Sequence, residues 1–329
     1  MNYKVLNKEN ILKNLEYYRS FGKNLVIMLK ANAYGHGMEE IAKILQEENV
    51  KIGVATIEEG EKVAKVFNGK ILIVEPIRDL GRLKDNFEFV VEDIETLKQV
   101  KKKNLLSSCY LKINTGMNRF GFCYDDKKSL KKAIKILGKE EFKGLFTHFS
   151  FLEDKEFSCL QYDRFCKVKS LFGDKVKSCF GGSGAIRFLA DEYRVGIGFY
   201  GYEDDNVQPV LTIKGEILKV FNLKKGEVLG YNNKFVAERE MRVGVVSLGY
   251  GDGIRRDLSG FYCLFNGEKC PIIANICMDC LFVDLTGKVA NKGDFVVMER
   301  ADLIAKELGT ISYEVLTGYS SLRGKTLVQ

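Results

Sequence analysis

The residues of this 329-residue chain best suited to covalent and proton-transfer chemistry are a lysine, two tyrosines, two histidines and a few arginines set among glycines. Lys30 closes the apolar run LVIMLK (25–30), and Tyr34 and His36 follow within a glycine-containing turn. A lysine so placed is either a solvent-reaching cap on a buried strand or an amine that joins a carbonyl as an imine and exchanges protons once freed. Tyr250 lies in GYGDG (249–253), which reads as a glycine-relieved tight turn or as a phenol presented for acid/base work. An ordinary phenol titrates near pH 10, so neighbours must favour its phenolate. His148 ends the apolar run GLFTH (144–148), where a satisfied core histidine is equally open. Arg194 precedes Gly196 and Ile197, a short segment whose N–H groups suit an anion; it could instead pair with Asp191 or Glu192. Lys112 and Arg119 share KINTGMNRFG (112–121). With two histidines, nine irregularly spaced cysteines and no repeated CxxC pair, a closed zinc site is not expected.

These groups need rigid elements to converge. Eight strand candidates, at 25–30, 51–55, 71–75, 87–91, 109–113, 144–148, 176–180 and 192–195, alternate mainly with helical segments, one over 38–48 and one opened at Thr56 and Glu59 by a capping box and running to about 67. Continuously apolar strands suit a parallel sheet covered by helices, and eight units are what a closed barrel needs. Periodicity does not show closure, so an open doubly wound sheet stays possible. After Pro209 the rhythm changes to strands near 210–220, 241–248, 261–265, 270–276, 280–285 and 294–299, with only 301–308 clearly helical. The expected organisation is therefore an α/β barrel over 1–209 and a β-rich unit over 210–329.

Composition narrows the function classes. Lysine and arginine number 51 against 44 acidic residues, a formal net charge of +7, but the basic residues are spread along the chain. The densest cluster, Lys101 to Lys103, closes a helix-like stretch. No basic face with stacking aromatics marks a nucleic-acid partner. No apolar run approaches a membrane span and no secretory pattern opens the chain, so a soluble, cytoplasmic protein with reduced thiols is expected.

The segment VIMLKANAYGHG (26–37) closely resembles the cofactor-lysine segment of bacterial alanine racemases. LKINTGMNRFGF (111–122), THFS (147–150), QYDRF (161–165), RVGIGFYG (194–201), SLGYGDGIRR (247–256), ICMD (276–279) and ISYEVL (311–316) follow in that family's order. The resemblance covers essentially the whole chain. It implies a (β/α)8 barrel, a mainly β carboxy-terminal domain and a head-to-tail homodimer with composite sites. It also implies pyridoxal 5'-phosphate as cofactor and reversible conversion of L- and D-alanine, a step toward D-alanine for a cell wall. In that family the cofactor forms an imine with the substrate and accepts the electrons left when the α-proton departs.

By the same resemblance Lys30 carries the cofactor and acts as one acid/base group, and Tyr250, from the other subunit, is the opposite one. His148 hydrogen-bonds that tyrosine and Arg194 continues the network while facing the cofactor's pyridine nitrogen. Tyr34, Ser183, Gly196 and Ile197 hold the phosphate. Arg119 positions the cofactor's phenolic oxygen and the substrate carboxylate, and Lys112 is a candidate for carbamylation. Met278 offers a backbone group near substrate, Asp279 lies at the entrance, and His36 belongs to the supporting loop. Three positions depart from the family's pattern: Ser321 where a second phosphate-contacting tyrosine is usual, Gly182 in place of asparagine, and Asn275 in place of arginine. These leave open a serine or broad-specificity racemase, another cofactor enzyme such as a decarboxylase, and a non-enzymatic pyridoxal-phosphate-binding protein.

Overall fold

The computed structural model describes residues 1–22, 24–173 and 175–329, with the side chain of Ser183 also outside what is described. Eight parallel strands follow one another in a ring: Asn24–Met28, Lys51–Val54, Ile71–Ile73, Phe87–Val91, Cys109–Asn114, Gly144–His148, Ser178–Gly181 and Glu192–Val195. The ring closes where Glu192 pairs with Asn24 and Val195 with Ile27, so the sheet is a barrel and not an open doubly wound layer. Nearly every residue of these strands is buried, because side chains on one face fill the barrel and those on the other meet helices. The amphipathic helices Ile94–Lys102, Lys127–Leu137 and Lys155–Phe172 start at Asp93, Asp126 and Asp154, each of which accepts a backbone N–H three residues on. Thr56 and Glu59 form the expected capping box, although that helix ends at Val63 before a tighter turn leads on.

The floor of the barrel is ionic. Lys51 Nζ lies 2.7 Å from Glu88 Oε2, 2.6 Å from Glu192 Oε1 and 3.2 Å from the Tyr110 hydroxyl, and Lys143 reaches Glu88 Oε1 at 2.5 Å. These residues come from the second, fourth, fifth and eighth strands and the approach to the sixth, so the cluster ties opposite walls together. Burial works against ionisation of Glu88, but Lys51 and Lys143 outweigh it and hold the carboxyl below its usual range. Glu192 is thus engaged below and is no partner for Arg194.

The second sheet is organised by the long strand Leu211–Leu223. Its first part pairs with Phe295–Met298 and its second with Met241–Val246, and Leu281–Asp284, Glu268–Ile273 and Tyr262–Phe265 complete the circuit. Two strands from the chain ends join it: Asn2–Leu6 runs antiparallel to 211–215 and parallel to Lys325–Val328. The first strand of the chain therefore lies in the second sheet, a long-range pairing that local periodicity does not announce. The segment after 301–308 is also more helical than expected, with Ser312–Gly318 forming a second helix. Its apolar face is short, which is why periodicity missed it. Among the described residues, no helix is long and apolar enough to cross a membrane.

The ionic floor makes a direct prediction. Lys51→Met leaves Glu88 and Glu192 buried with too little compensating charge, and should cost about 3–5 kcal/mol of stability in urea unfolding at pH 7. Because the folded-state pKa of Glu88 is depressed, its contribution is present above the ordinary carboxylate range near 4.3 and lost as pH falls through the lower folded value. The Lys51→Met penalty should accordingly shrink at acid pH, and a pH-independent penalty would contradict this account.

Candidate active site

The first barrel strand delivers Lys30 to the carboxy-terminal rim, where barrel enzymes assemble their chemistry. Leu29 N–H donates to the Gly53 carbonyl at 2.6 Å, and a single turn, Lys30–Tyr34, follows. Ala31, Asn32, Ala33 and Tyr34 have φ of 51°, 55°, 54° and 52°. Left-handed backbone costs an L-residue about 1–2 kcal/mol, so four in succession persist only where the surroundings dictate them. Here Ala31 N–H donates to Glu59 Oε1 at 2.7 Å, Met38 N–H to Asn32 Oδ1 at 2.9 Å, and the buried Lys4 Nζ to the Gly35 carbonyl at 2.9 Å. Gly35 has φ 81° and sits so close to the helix Ser312–Gly318 that a Cβ would stand 1.9 Å from the Leu316 carbonyl oxygen. His36 is wholly buried behind the turn. Its Nδ1 lies 2.9 Å and 3.0 Å from the Ala33 and Tyr34 carbonyls, and burial drives its pKa down to about 3. It is a neutral support, as expected, and does not line the cavity.

Lys30 and Tyr34 open into a cavity of about 350 Å³ that also takes in Lys112, Arg119, Phe146, His148, Gly181, Gly182, Arg194 and Gly196. The Tyr34 hydroxyl lies 2.7 Å from where a Cβ of Gly196 would be, so only glycine leaves that contact open. Gly181 does the same for two other groups: a Cβ there would stand 2.3 Å from Arg194 Nη2 and 2.4 Å from His148 Nδ1. Arg194 is buried, donates to the Thr147 carbonyl and stacks 3.6 Å from the Phe146 ring centre. Among the described residues, its Nε and His148 Nδ1 are buried polar atoms with no hydrogen-bond partner. Such atoms are costly to leave unpaired, which marks them as aimed at something that binds.

The cavity is crowded with positive charge. Burial, then Arg119 and Arg194, lower the Lys30 pKa. Burial, then Arg194 and Arg119, push Lys112 down to about 8, and burial brings Arg194 to about 10. His148 is held neutral by burial and by all four cations. Among the described residues, no carboxylate forms an ion pair with Lys30, Lys112, Arg119 or Arg194. An anion is the missing complement.

Arg119 reaches the rim because its loop folds back. Asn114 Oδ1 accepts from Gly116 N–H and Asn118 N–H at 3.1 and 3.0 Å, and Phe122–Cys123 returns to pair beside Ile113 and Asn114. A Cβ at Gly121 would stand 2.6 Å from the Lys112 carbonyl oxygen, so the return needs glycine. Gln161 donates to the Thr115 hydroxyl at 3.1 Å and Arg164 to the Thr115 carbonyl at 3.0 Å, which assigns a rim-bracing role to the QYDRF segment. Among the cavity-lining residues that the sequence does not single out are Glu203 and Tyr313, whose hydroxyl donates to Glu203 Oε2 at 3.1 Å. Tyr313 lies in the ISYEVL segment, yet nothing in the sequence shows that its helix comes to rest against Tyr34, 5.8 Å between ring centres.

Tyr250 is not in this cavity. It starts a short turn on the second domain, 43% exposed, and borders a separate groove of about 360 Å³ with Gly318 and Ser321. Tyr250 N–H donates to the Cys277 carbonyl at 3.0 Å and Gly251 N–H to the Met278 carbonyl at 2.9 Å, so the Met278 carbonyl is already engaged. Met278 itself is exposed, and Asp279 accepts from Arg323 Nη1 at 2.7 Å while Asp252 takes Arg323 Nε at 2.9 Å. Within one chain, therefore, Tyr250, Met278 and Asp279 form one cluster, and Lys30, Tyr34, Lys112, Arg119, His148, Arg194 and Gly196 another. Ile197 is buried and opens the turn Ile197–Tyr200 beside Gly196. The Ser183 hydroxyl lies outside the described residues.

The departures have local reasons. Gly182 has φ 111°, and a Cβ there would stand 2.6 Å from Leu152 Cδ1, which fills the space a side chain would need. Asn275 Nδ2 donates to the Tyr231 carbonyl at 3.0 Å, and Ser321 Oγ donates to the Gly318 carbonyl at 2.9 Å.

A closed barrel with a partly desolvated lysine and clustered cations at its rim, joined to a β-domain bearing an exposed tyrosine turn, defines a class of two-domain barrel proteins whose rim cavity suits an anionic ligand. The family follows from the sequence as a whole. The alanine racemase N-terminal domain matches residues 6–204 and the C-terminal domain residues 210–326. The chain belongs to the alanine racemase family. The alanine racemase of Clostridium kluyveri is 35% identical over 95% of this chain and 90% of its own length. The alanine racemase structure from Acinetobacter baumannii superposes with a TM-score of 0.89 at 26% identity, covering 100% of this chain and 99% of that one. That of Bartonella henselae, described with covalently bound pyridoxal phosphate, superposes at 0.87 and 25% identity, covering 100% and 99%.

The lowered Lys112 pKa is testable without any ligand. Competitive labelling by acetic anhydride across pH 6–11, read peptide by peptide by mass spectrometry, should give Lys112 a midpoint near pH 8, with exposed lysines titrating near 10.4. A Lys112 midpoint that coincides with theirs would contradict the electrostatic reading of the cavity.

Proposed function

We propose that this protein interconverts L- and D-alanine with pyridoxal 5'-phosphate attached at Lys30, and that the second acid/base group is Tyr250 of a neighbouring subunit. The observation that carries the reading is the separation just described: a lysine in an anion-seeking cavity, and an exposed tyrosine turn outside that cavity on the same chain. Unpartnered Arg194 Nε and His148 Nδ1, the cradle at Gly196 and a volume of about 350 Å³ fit a phosphorylated aromatic ligand. The cofactor, when bound, supplies the electron sink that makes an amino acid's α-proton removable.

The chain's own residues do the rest. Burial, then Arg119 and Arg194, lower the Lys30 pKa, which raises the share of free amine available as nucleophile and proton carrier. The Tyr34 hydroxyl over Gly196, with the backbone N–H groups of Gly196 and Ile197 and the Ser183 hydroxyl, would hold the phosphate. Arg194, a donor that stays charged, would serve the pyridine nitrogen and disfavour its protonation. Arg119 would orient the substrate carboxylate and the cofactor's phenolic oxygen. Lys112, neutral above about pH 8, is able to add carbon dioxide through its free amine with release of one N–H proton to solvent; the carbamate would turn one of four crowded cations into an anion beside Arg119. Met278 and Asp279 of the neighbouring subunit line the mouth, and the phenolate of its Tyr250 is favoured by His148 and the cations behind it.

This division of labour assigns cofactor binding to residues 1–209 and the tyrosine to 210–329, in a cytoplasmic homodimer whose sites each draw on both chains. Lys30→Ala and Tyr250→Phe should each abolish racemisation, by 10³-fold or more on the scale of lost acid/base groups, read by chiral chromatography of alanine. Mixed and reassembled in equal amounts, the two inactive variants should recover about a quarter of unaltered activity, because half the dimers are mixed and each of those holds one intact site. No recovery from mixtures shown to exchange subunits would place Tyr250 in its own chain's site.

A further inference from the structure

We propose that Glu59 is a positioning residue for Lys30: one carboxylate that starts a helix and, through its other oxygen, fixes the backbone immediately after the reactive lysine. The proposal rests on the reading of Lys30 as the cofactor-bearing residue. Glu59 lies in the third position of the helix Ile57–Val63, where a capping-box glutamate normally bonds the backbone at the start of its own helix. Oε2 does this, accepting from Ala55 N–H at 2.8 Å and, more weakly, from Thr56 N–H at 3.4 Å. Oε1 reaches across to the neighbouring strand's end and accepts Ala31 N–H at 2.7 Å.

That second bond falls at a decisive place. Ala31 is the first of the four left-handed residues, and its conformation sets the direction in which Lys30 leaves the strand and in which Tyr34 returns to the cavity. The other side-chain hydrogen bonds to the turn fall farther along, from Asn32 to Gly35, apart from the long 3.5 Å approach of the Ser320 hydroxyl to the Ala31 carbonyl, which leaves the Ala31 N–H to Glu59 alone among the described residues. Both carboxylate oxygens of Glu59 are used as acceptors by backbone donors. Only an ionised carboxylate offers two acceptors at once; an amide would present a donor to one of them. Glu59 also acts on the lysine through its charge, partly opposing the arginines that lower the Lys30 pKa.

Helix capping and lysine positioning are separable because Thr56 contributes only to the first. The Thr56 hydroxyl accepts Glu59 N–H at 3.3 Å and, among the described residues, forms no hydrogen bond with the Lys30 turn. Glu59→Gln and Thr56→Ala would therefore be compared with the unaltered protein in three ligand-specified measurements: urea unfolding, borohydride trapping of Lys30 at graded pyridoxal 5'-phosphate, and acetic anhydride labelling of Lys30 against pH without cofactor. Both variants should lose stability. Only Glu59→Gln should weaken Lys30 trapping, by about tenfold or more, and only it should move the Lys30 labelling midpoint to lower pH, since a negative charge that favoured the ammonium form is gone. Unchanged trapping in Glu59→Gln, or equal weakening in Thr56→Ala, would reduce Glu59 to a helix cap and overturn the proposal. Should Glu59→Gln fail to fold, Glu59→Asp keeps the charge but is one methylene short of spanning both sites. It should trap Lys30 less tightly than the unaltered protein, and trapping equal to it would equally overturn the proposal. Failure of the unaltered protein to trap cofactor at Lys30 would instead overturn the cofactor assignment beneath it.

Discussion

Like charges brought together out of water govern this site. Lys30, Lys112, Arg119 and Arg194 converge on a cavity in which, among the described residues, no carboxylate forms an ion pair with any of them, although Glu153 and Glu203 also line it. The carboxylates that act on Lys30 and Lys112, Glu59, Glu75 and Glu92, do so from a distance. Such an arrangement destabilises the protein alone and is relieved in three ways: the lysines release their protons more readily, His148 stays neutral, and a bound anion would supply the missing charge. Each helps an enzyme of this kind. Deprotonation makes the lysines reactive, neutrality leaves His148 able to accept a hydrogen bond, and the demand for an anion favours a phosphate and a carboxylate in one pocket.

The same barrel solves the opposite problem at its other end. There Lys51 and Lys143 meet Glu88 and Glu192 with Tyr110 between them, a neutralised network whose partners cross from wall to wall. The frustrated charges thus sit at the carboxy-terminal rim, where strands give way to loops that can accommodate ligands, and the satisfied ones at the amino-terminal floor. The paired floor anchors strands that carry the unpaired rim: Lys51 shares its strand with Gly53, whose carbonyl holds Leu29, and Glu192 is two residues before Arg194.

The sequence was legible where local physics decides. The eight barrel strands announced themselves as apolar runs because both faces are buried, and the Thr56–Glu59 cap was visible as a spacing. What it could not show were partnerships across long separations. Asn2–Leu6 reads as an unremarkable short strand and pairs with residues more than 200 and 300 positions away. Tyr313 is an ordinary helix residue until that helix packs on the Lys30 turn. Glu59 was recognisable as a cap, but its second oxygen bonds a strand end 28 residues earlier, a distance the capping pattern does not encode. The chemical roles proposed for Lys30 and Tyr250 rest on motif resemblance, since a strand-ending lysine and a glycine-flanked tyrosine have commoner structural explanations.

One segment explains why the tyrosine and the lysine of a single chain stand apart. The helix Ser312–Gly318 and the turn after it lie between them. On one side the Leu316 carbonyl abuts Gly35, Tyr313 faces Tyr34, and the Ser320 hydroxyl reaches the Ala31 carbonyl at 3.5 Å. On the other, Gly318 packs so closely on Gly253 that a Cβ there would stand 2.1 Å from the Gly318 carbonyl oxygen, and Arg323 binds Asp252 and Asp279. The segment thus touches the Lys30 turn on one side and the Tyr250 groove on the other. It also joins the two clusters mechanically, since a shift that loosens the Lys30 turn is passed through one short, densely packed stretch to the Tyr250 turn. In a dimer with exchanged tyrosines, that stretch would connect the lysine of one site to the tyrosine of the other, so the geometry of both sites would depend on the same few backbone contacts.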